Sequence, residues 1–547
     1  MAVSRIAVAL RGRPGTGHAS SLPFDWAGFH TRFASECRLL AARRKFATTR
    51  RLRSARSAEE DARHSDGETR SAATQSSSAP AAADAADYNN NNNNNTWEDN
   101  LKVGNVEEFK DLPDMNFGLN QHMPFNEEFK KALKTVIWQI RAPVRYAFAY
   151  GSGVFPQSKP CGRIPTQEEM RAVHPNAPSV VQKTQNGSPK MIDFIFAVSH
   201  TQHFHSLNMR YNRHHYSGLA SLGSAAVSRV QDKWGAGVYF HPYVVVNGIL
   251  IKYGVVHVDT LEKDLTDWET LYLAGRLQKP VKILRDDPKI RFANQINLVA
   301  ALRTALLLLP PTFNELDLYS VIAGISYLGD PRMSLPAENP RKVHNIVGNN
   351  LANFRRLYSP LIDTLPNVTY ADRGPRRSPD WVFTEETPLR LAQDMDPVKR
   401  GNMVRRLPKA FRSRLYFQYQ RKFAIPQADF ERMMAESKAD DTTSFRRREG
   451  GGFERRIAQD DAVELRSHVR TVIKQTIGWP STTQSLKAVL TAGIPRTLRY
   501  LREKYDKWRE ARPAKGTTEP GTEEGWKTGA SKKGSHQVVS SKGEERN

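Results

Sequence analysis

The stretch "YAFAYGSGVFPQ", residues 146–157, decides how the central part of this sequence folds. Its first five residues are apolar or aromatic, which is typical of a short buried strand. Gly151-Ser152-Gly153 then ends the strand in a turn. Glycines after a strand let backbone N–H groups approach a phosphate, and Ser152 adds a hydroxyl donor. The spacing fits neither a P-loop nor a dinucleotide-binding fingerprint, so taken alone it favours a plain tight turn.

The next apolar stretch, "MIDFIF" at residues 191–196, changes this interpretation because it holds one carboxylate, Asp193. A carboxylate within an apolar strand is costly to bury unless it is paired or binds a metal. The alternative is an aspartate on a solvated strand face. Nucleotidyltransferases of the polymerase-β type place Gly-Ser before a strand that carries acid, apolar, acid. Here Ile195 occupies the second acidic position, so a further metal ligand must come from elsewhere, and Asp259, Asp264 and Asp330 are candidates.

The surrounding pattern predicts an α/β fold with a mixed sheet. Residues 237–246 and 249–258 are predicted to pair through an Asn247-Gly248 hairpin turn. Residues 259–277 are predicted to form a helix that begins with Asp259 as its N-cap. After residue 285 the apolar spacing becomes helical, over residues 294–309, 313–327 and 340–365. We therefore expect a domain over residues 101–285 and a helical domain over residues 286–370.

Charge and composition set the ends of the chain apart from this core. The 547 residues carry a net charge of +24, which indicates a polyanionic partner such as nucleic acid, an anionic membrane or a phosphorylated substrate. Residues 1–56 contain twelve Lys or Arg and two acids, which favours a mitochondrial or plastid transit segment over residues 1–60, with a basic tail as the alternative. Residues 61–100, with their Asn tract, and residues 513–547 are predicted to be disordered.

Two cysteines, Cys37 and Cys161, exclude a disulfide framework and a cysteine-based zinc site. The most apolar run, "NLVAALRTALLLLPP", is too short to span a bilayer. A His-rich stretch at residues 200–215 has no metal-binding spacing, so hydrogen-bonding histidines are the first interpretation and zinc the second.

Two segments near the C-terminus are predicted to differ in order. Residues 371–480 have the composition of an irregular basic insertion, whereas residues 485–509 have the period of one amphipathic helix kinked at Pro495. Its apolar side carries residues such as Leu486, Leu498 and Leu501, and its other side is rich in Lys and Arg. We expect residues 481–512 to lie on an anionic membrane surface, with packing on the protein's own core as the alternative.

Seven stretches occur in the order found in one known family: "YGSGVFPQ", "IDFIFAV", "HSLNMRYNRHHYS", "GAGVYF", "IKYGVV", "YLAGRLQKPVKIL" and "GISYLGDPRM". Together they resemble the mitochondrial phosphatidate cytidylyltransferase family over residues 107–365, and the likeness resumes in "STTQSLKAVLTAGIPRTLRYLREK". The resemblance implies a polymerase-β-type nucleotidyltransferase domain followed by a winged-helix domain. It also implies that CTP and phosphatidate give CDP-diacylglycerol and pyrophosphate, with Mg²⁺, for cardiolipin and phosphatidylglycerol synthesis.

The same resemblance implies roles for particular residues. Asp193 would bind magnesium and act in catalysis with Lys252 and Asp330. The nucleotide and phosphate groups would be bound by Gly151, Ser152, Gly153, His205, Asn208, His215, Tyr216, Ser217, Arg276, Lys279, Lys282 and Arg332. The expected location is the matrix side of the mitochondrial inner membrane, with anionic lipids as partners and no nucleic acid. A basic winged-helix protein that binds nucleic acid, or an RNA nucleotidyltransferase, is the alternative, and the oligomeric state is left open.

Overall fold

The computed structural model describes residues 97–100, 103–157, 163–185, 187–331, 341–372, 374, 376, 380–384, 387–443 and 450–510. The predicted transit segment, the C-terminal tail, Cys37, Cys161 and Arg332 lie outside these residues. No helix in the described part of the chain is long and apolar enough to cross a membrane.

A five-stranded mixed sheet, of order β3-β4-β2-β1-β5, forms the centre of the fold. A second sheet has three strands in the order β6-β8-β7. The strands are β1 (Tyr146–Tyr150), β2 (Ile192–Val198), β3 (Val238–Val246), β4 (Ile249–His257), β5 (Lys282–Arg285), β6 (Thr312–Asn314), β7 (Val368–Tyr370) and β8 (Arg390–Gln393). The predicted α/β class, with a mixed sheet and many helices, is therefore confirmed.

Helices surround both sheets and occupy most of the C-terminal half. They are α1 (Trp97–Asn100), α2 (Glu127–Gln139), α3 (Gln167–Val173), α4 (Ser179–Thr184), α5 (Thr201–Tyr211), α6 (Ser224–Lys233), α7 (Val258–Asp267), α8 (Ala274–Leu277), α9 (Pro288–Leu308), α10 (Glu315–Ile325), α11 (Lys342–Gly348), α12 (Leu351–Thr364), α13 (Trp381–Thr384), α14 (Pro397–Arg405), α15 (Lys409–Lys422), α16 (Gln427–Thr443), α17 (Gly452–Ala458), α18 (Ala462–Ala492) and α19 (Ile494–Glu510).

Strand directions bring three chain segments to one edge of the large sheet. Strand β1 runs antiparallel to β2, and β2 runs parallel to β4. The last residue of β1, Tyr150, pairs with Asp193 near the start of β2, and Asp193 pairs with Lys252 of β4. The Gly-Ser-Gly turn, the strand aspartate and a lysine therefore meet at this edge.

The two faces of the sheet bury different sets of residues. Because side chains alternate along a strand, Phe148 and Ile195 pack on one face, in the larger core that includes α9 and α10. Phe194, Phe196 and Tyr253 pack on the other face, with α2 and α5. By the same alternation Asp193 and Lys252 share the face of Ile195, whereas Tyr253 points away from them.

The predicted hairpin is confirmed, and the predicted helix after it begins with a different cap. Asn247 and Gly248 both have positive φ, 51° and 71°, as a two-residue hairpin turn of this type requires. The N-cap of α7 is His257, whose side chain accepts a hydrogen bond from the backbone N–H of Asp259. Asp259 is instead in the first helical turn. Helix α7 ends at Asp267, followed by its C-cap Trp268 with φ of 56°, so the helix predicted over residues 259–277 is divided into α7 and α8.

The region expected to be a winged-helix-like helical domain, residues 286–370, contributes two strands as well as its helices. β6 and β7 pair with β8, which comes from a segment expected to be irregular. A buried ion pair between Arg355 and Glu315, with N···O of 2.8 Å, joins α12 to α10. Glu315 also accepts from the backbone N–H of Leu389, so the buried carboxylate is satisfied on several sides.

The prediction that residues 371–480 are an irregular basic insertion is wrong for the described residues, because most of them are helical. Helices α14 to α17 and the first part of α18 lie in this segment. Several of its basic side chains are buried within the fold rather than displayed on the surface. Arg412, for example, is 3% exposed and donates to the carbonyl of Arg405 at 2.8 Å.

The C-terminal amphipathic segment is two helices rather than one kinked helix. The break lies at Gly493, with φ of 81°, between α18 and α19, and not at Pro495. Gln484 of α18 accepts from Ala236 N–H and donates to Val238 C=O, which satisfies backbone groups where α18 covers the edge strand β3. This part of the segment is therefore built into the fold.

Candidate active site

The strand aspartate and its lysine form the centre of the site. Asp193 Oδ1 lies 3.7 Å from Lys252 Nζ, and the two side chains are 27% and 20% exposed. Lys252 Nζ also lies 4.9 Å from the ring centroid of Phe240, which fixes its direction. Asp193 is thus a half-buried carboxylate that a ligand can reach, balanced in this structure by an ammonium group.

The turn beside Asp193 requires glycine at two positions. Gly151 has φ of 83°, and a β-carbon there would lie 3.3 Å from Asp193 Oδ2. A β-carbon at Gly153 would lie only 2.7 Å from the carbonyl oxygen of Met191. Backbone N–H groups of Val154 and Phe155 both bond to the Gly151 carbonyl, and Ser152 is half-buried between the glycines. The turn therefore brings the backbone close to the Asp193 carboxylate.

Cationic side chains from α8 continue the site from Tyr150. The Arg276 guanidinium lies 4.1 Å from the Tyr272 ring centroid and 5.7 Å from that of Tyr150. Burial, followed by the negative charge of Asp193, raises the pKa of Tyr150, so its hydroxyl stays neutral. The structure thus brings Arg276 to the same edge as Gly151 and Asp193.

Lys279 is held one helical turn beyond Arg276. Its Nζ donates to the carbonyl of Gly275 and, at 2.7 Å, to the hydroxyl of Ser326. Burial, followed by the positive charges of Arg276 and Lys342, lowers the pKa of Lys279 to about 7. Lys279 therefore belongs with Arg276 to one cationic group.

Lys282 does not join that group. It pairs in the sheet with Ala149 on the opposite face, and its Nζ donates to the carbonyl of Met123 at 2.8 Å. Burial, followed by the charge of Lys130, lowers the pKa of Lys282 to about 8. Lys282 is at the correct edge of the sheet but faces α2 rather than Asp193.

Asp330 lies in the segment that follows α10. It is 6% exposed, and its backbone N–H bonds to the carbonyl of Tyr327 at 3.3 Å. The same segment supplies Ser326 to Lys279, so it borders the cationic group. Its close packing on α18 is visible at Gly329, where a β-carbon would lie 2.7 Å from the carbonyl oxygen of Lys474.

The His-rich residues form a separate buried network. His205 is hydrogen-bonded to the Tyr216 hydroxyl at 2.9 Å and to Gln231 at 2.8 Å. Asn208 donates to the hydroxyls of Tyr216 and Tyr253. His215 contacts the Tyr253 hydroxyl at 2.8 Å. The structure does not bring these side chains to Asp193, because Tyr253 lies on the opposite face of the sheet.

This network keeps its histidines neutral. Burial lowers the pKa of His205 to about 4 and that of His215 to about 3. Ser217, expected at the nucleotide, instead donates its hydroxyl to the carbonyl of Leu490 in α18 at 2.7 Å. This His-rich stretch thus connects the sheet to the C-terminal helices.

Two candidate metal ligands have other partners. Asp264 accepts from the backbone N–H groups of Leu273 and Ala274 with one oxygen and from Thr270 with the other. It therefore shapes the loop before α8 and has no oxygen directed to Asp193. Asp259 is 71% exposed and lies 3.6 Å from His257.

Elsewhere in the described residues, Asp460, Glu464 and His468 are close enough together to share an ion. The ammonium of Lys422 already bridges the two carboxylates, at 2.6 Å from Asp460. This group is explained as an ion-pair network between α15 and α18.

Sequence reasoning missed the aromatic residues that position the cations, and it missed Lys342. The rings of Tyr272 and Tyr327 make cation–π contacts with Arg276 and Lys279, respectively. Lys342 is distant in sequence and is separated from the predicted site motifs, so no spacing pattern could have identified it.

Comparison with known proteins identifies the family of this chain. Residues 133–507 match the family described as "Phosphatidate cytidylyltransferase, mitochondrial". A protein of that name from Saccharomyces cerevisiae is 42% identical over 258 residues, which are 46% of this chain and 60% of the relative. The Homo sapiens protein is 40% identical over 44% of this chain and 49% of the relative. The Danio rerio protein is 34% identical over 66% of this chain and 90% of the relative.

The fold and site thus define an α/β protein with a carboxylate, a glycine turn and a cationic group at one sheet edge. The chain belongs to the mitochondrial phosphatidate cytidylyltransferase family. It spans about 60% of the length of the Saccharomyces cerevisiae relative. The comparisons give no support to a nucleic-acid-binding function.

Proposed function

We propose that this protein is a phosphatidate cytidylyltransferase, which converts CTP and phosphatidate to CDP-diacylglycerol and pyrophosphate. The observation that supports it most is the meeting of Asp193, the Gly151 turn and Arg276 at one sheet edge, in a chain of this family. A phosphate oxygen of phosphatidate attacks the α-phosphorus of CTP, and the bond from that phosphorus to the pyrophosphate oxygen breaks. Both substrates are anions, so the reaction needs cations and N–H donors around the phosphates.

The residues at the edge supply those groups. Backbone N–H groups of the Gly151–Gly153 turn and the Ser152 hydroxyl bind CTP phosphate oxygens. Lys252 and Arg276 neutralise the negative charge of the CTP phosphates, and Lys279 extends the positive region. Asp330 lies at the border of this region and stays a candidate for catalysis. No covalent nucleophile is required, because one phosphate attacks the other directly.

Asp193 supplies the kind of carboxylate ligand that a magnesium ion requires. Mg²⁺ is often held by one or two carboxylates together with substrate phosphates, and Asp193 supplies a half-exposed carboxylate beside the glycine turn. Bound magnesium would neutralise phosphate charge and orient the α-phosphate. Because the oxygens of Asp264 already accept hydrogen bonds, we propose that Asp193 would hold the ion, and that CTP phosphates and water would supply its other ligands.

The element order supports the two expected folds. The large sheet carries its glycine turn and acidic strand as neighbours, as the polymerase-β-type arrangement requires. From α9 onward the order of elements is α9, β6, α10, α11, α12, β7, α13 and β8. Without the short helices α11 and α13, this is the helix–strand–helix–helix–strand–strand order of a winged helix. We propose these two folds for the chain.

Exposure of the C-terminal apolar stripe supports binding to a membrane surface. Leu486, Ile494, Leu498 and Leu501 are each more than half exposed. A row of large exposed apolar side chains marks an interaction surface. A lipid substrate remains in its bilayer, so we propose that this stripe contacts the matrix side of the mitochondrial inner membrane.

Two cations on the basic side of these helices bind the protein's own carbonyl groups. Lys487 is 1% exposed and donates to the carbonyls of Gln231 and Trp234. Arg496 donates to the carbonyls of His214 and His215. These two cations therefore attach the helices to the protein with the apolar stripe facing outward, and apolar burial supplies the membrane contact.

One experiment tests the proposed reaction. Purified protein is incubated with labelled CTP, Mg²⁺ and either phosphatidate liposomes or tRNA. We expect label in a chloroform-soluble lipid and none in tRNA. Label in tRNA alone would replace this function by RNA nucleotidyl transfer.

A further inference from the structure

Helices α2 and α5 end next to each other at the surface. The side chain of Asn212, which follows α5, donates to the carbonyl of Ile140, which follows α2, at 3.4 Å. Four exposed side chains lie within two residues of this contact in the sequence, and we name them the α2–α5 corner: Trp138, Arg141, Arg210 and Tyr211. Trp138 is 76% exposed and Tyr211 is 48% exposed. Large aromatic side chains displayed in this way mark an interaction surface.

The two arginines of the corner carry positive charge that the described part of the chain does not neutralise. The guanidinium of Arg141 lies 5.6 Å from the ring centroid of Tyr211, and that of Arg210 lies 5.8 Å from it. Among the described residues, neither guanidinium has a carboxylate within ion-pair distance. Arg141 also has φ of 53°, a left-handed conformation that glycine adopts most easily after a helix. An arginine at this position is explained if its side chain, rather than the turn, is what the position supplies.

The corner lies at the same edge of the large sheet as Asp193. The backbone N–H of Asn247, in the hairpin turn before β4, donates to the side chain of Gln139 at 2.9 Å. Strand β4 starts from this turn, and Lys252 near its start pairs with Asp193. A surface that contacts the corner therefore approaches this edge, from the face of the sheet that α2 and α5 cover.

The corner is also next to the exposed apolar stripe of α18 and α19. The carbonyls of His214 and His215, which follow the corner in the chain, accept from Arg496 of α19 at 2.7 and 3.0 Å. The hydroxyl of Ser217 donates to the carbonyl of Leu490 in α18. A single apolar stripe on a flat surface can rotate about its own long axis. A second contact beside it fixes the orientation of the protein.

We infer that the α2–α5 corner is a second contact with an anionic bilayer surface, which, beside the stripe of α18 and α19, turns the Asp193 edge toward the lipid. Arginines are attracted to anionic headgroups, and Trp and Tyr rings favour the layer between headgroups and acyl chains. The inference rests on the proposed function, in which one substrate stays in a bilayer. Aromatic and arginine side chains also bind single-stranded RNA, but the neighbouring apolar stripe favours a lipid surface.

Vesicle binding by Arg141→Gln with Arg210→Gln tests the charge of the corner. The full chain is mixed with vesicles of phosphatidylcholine and phosphatidylglycerol in equal amounts, and the bound fraction is measured by sedimentation. We expect at least about tenfold weaker binding by the double variant, because only anionic headgroups attract the arginines. Pure phosphatidylcholine vesicles should not distinguish the two proteins. Arg432→Gln, at an exposed arginine of α16, is the matched control and should bind as the parent does.

Trp138→Ala tests the aromatic part of the corner. We expect binding to both kinds of vesicle to weaken several-fold, because an interfacial ring contributes independently of lipid charge. Phe383→Ala, at an aromatic residue of α13 that is 52% exposed, is the control for loss of an exposed ring. Thermal midpoints of all variants should equal that of the parent, since the altered side chains are exposed.

Two results would overturn the inference. The first is equal binding of anionic vesicles by the parent and the double arginine variant, or no binding by the parent. The second comes from titration with oligouridine. If the double variant loses affinity for oligouridine and keeps its affinity for anionic vesicles, the corner binds nucleic acid instead.

Turnover of a short-chain, water-soluble phosphatidate keeps these results separate from the fate of the proposed function. The corner variants should turn it over as the parent does, because the corner and Asp193 are on opposite faces of the sheet. A parent chain without turnover would count against the proposed function. Weaker vesicle binding by the arginine variant would still support the corner as a membrane contact.

Discussion

Asp193 Oδ1 and Lys252 Nζ lie 3.7 Å apart, on directly paired residues of the neighbouring parallel strands β2 and β4. The pair places one negative and one positive group at the edge where the Gly151 turn ends β1. Under the proposed function, Asp193 would hold magnesium and Lys252 would interact with phosphate. The pair therefore accounts for a carboxylate that is stable within an apolar strand before substrate binds.

Asp193→Asn is expected to lower turnover by about a hundredfold or more while the chain stays folded, because the amide keeps the shape and loses the charge. The measurement is initial rate with CTP and phosphatidate beside a thermal melt. Asp429→Asn, at an exposed ion pair in α16, is the matched control and should keep full activity. Near-normal turnover in Asp193→Asn would place the metal site elsewhere.

Gly151→Ala is expected to reduce CTP binding more than its strain alone explains. Gly223 is a useful comparison, because it also has positive φ, 86°, but a β-carbon there meets nothing within 4 Å. Both alanine variants should lower the thermal midpoint, since both impose a left-handed conformation on alanine. Only Gly151→Ala should raise the KM for CTP, and Ser152→Ala should raise it moderately. Parallel effects of the two glycine variants on KM would restore the plain-turn interpretation.

Leu498→Asp with Leu501→Asp is expected to abolish flotation with phosphatidate-containing liposomes, because both side chains are more than half exposed. Turnover of a short-chain, water-soluble phosphatidate should be retained. Val463→Asp, at an exposed position of α18 outside the stripe, should float as the parent does. Undiminished flotation of the double variant would exclude this surface. Truncation after Gly478 is a less clean test, since it removes the buried contacts of Gln484 and Lys487.

Stability is expected to fall as the pH is lowered below about 6.5. Burial lowers the pKa of His205 to about 4 and of His215 to about 3. Between these values and 6.5 the unfolded chain binds more protons than the folded chain, so the free energy of unfolding rises with pH. The stability contributed by the neutral histidines is fully present above pH 6.5. At about 1.4 kcal/mol per pKa unit, the loss by pH 4.5 is on the order of several kcal/mol. Thermal midpoints from pH 8 to 4.5 measure it, and His205→Gln should show a smaller slope; an equal slope would exclude His205 as a source.

Local pattern was sufficient for the strands and the hairpin. β1, β2 and the Asn247-Gly248 turn follow from short-range apolar spacing and turn chemistry. The small sheet was missed, because its three-residue and four-residue strands pair across long separations in the chain. Residues 371–480 were predicted to be irregular because their many arginines hide the apolar spacing, yet Arg400, Arg405 and Arg412 are buried with partners inside the fold.

Some residues of the candidate site could likewise be predicted from local sequence patterns, and others could not. Asp193 could be identified because it is a charged residue within an apolar strand. Gly151 could be identified because it interrupts an apolar stretch. The His-rich residues looked functional for their chemistry, but only the strand alternation at Tyr253 shows that they lie on the other face. The packing of Gly275 against Ser326 had no local pattern at all, because these residues are about 50 positions apart in the sequence.

The most direct measurement is product identification by mass spectrometry after the full chain is incubated with CTP, Mg²⁺ and phosphatidate liposomes, with Asp193→Asn in parallel. The account predicts CDP-diacylglycerol and an equal amount of pyrophosphate from the parent chain, and at least about a hundredfold less from the variant. Pyrophosphate without CDP-diacylglycerol, or equal product from the two proteins, would contradict it.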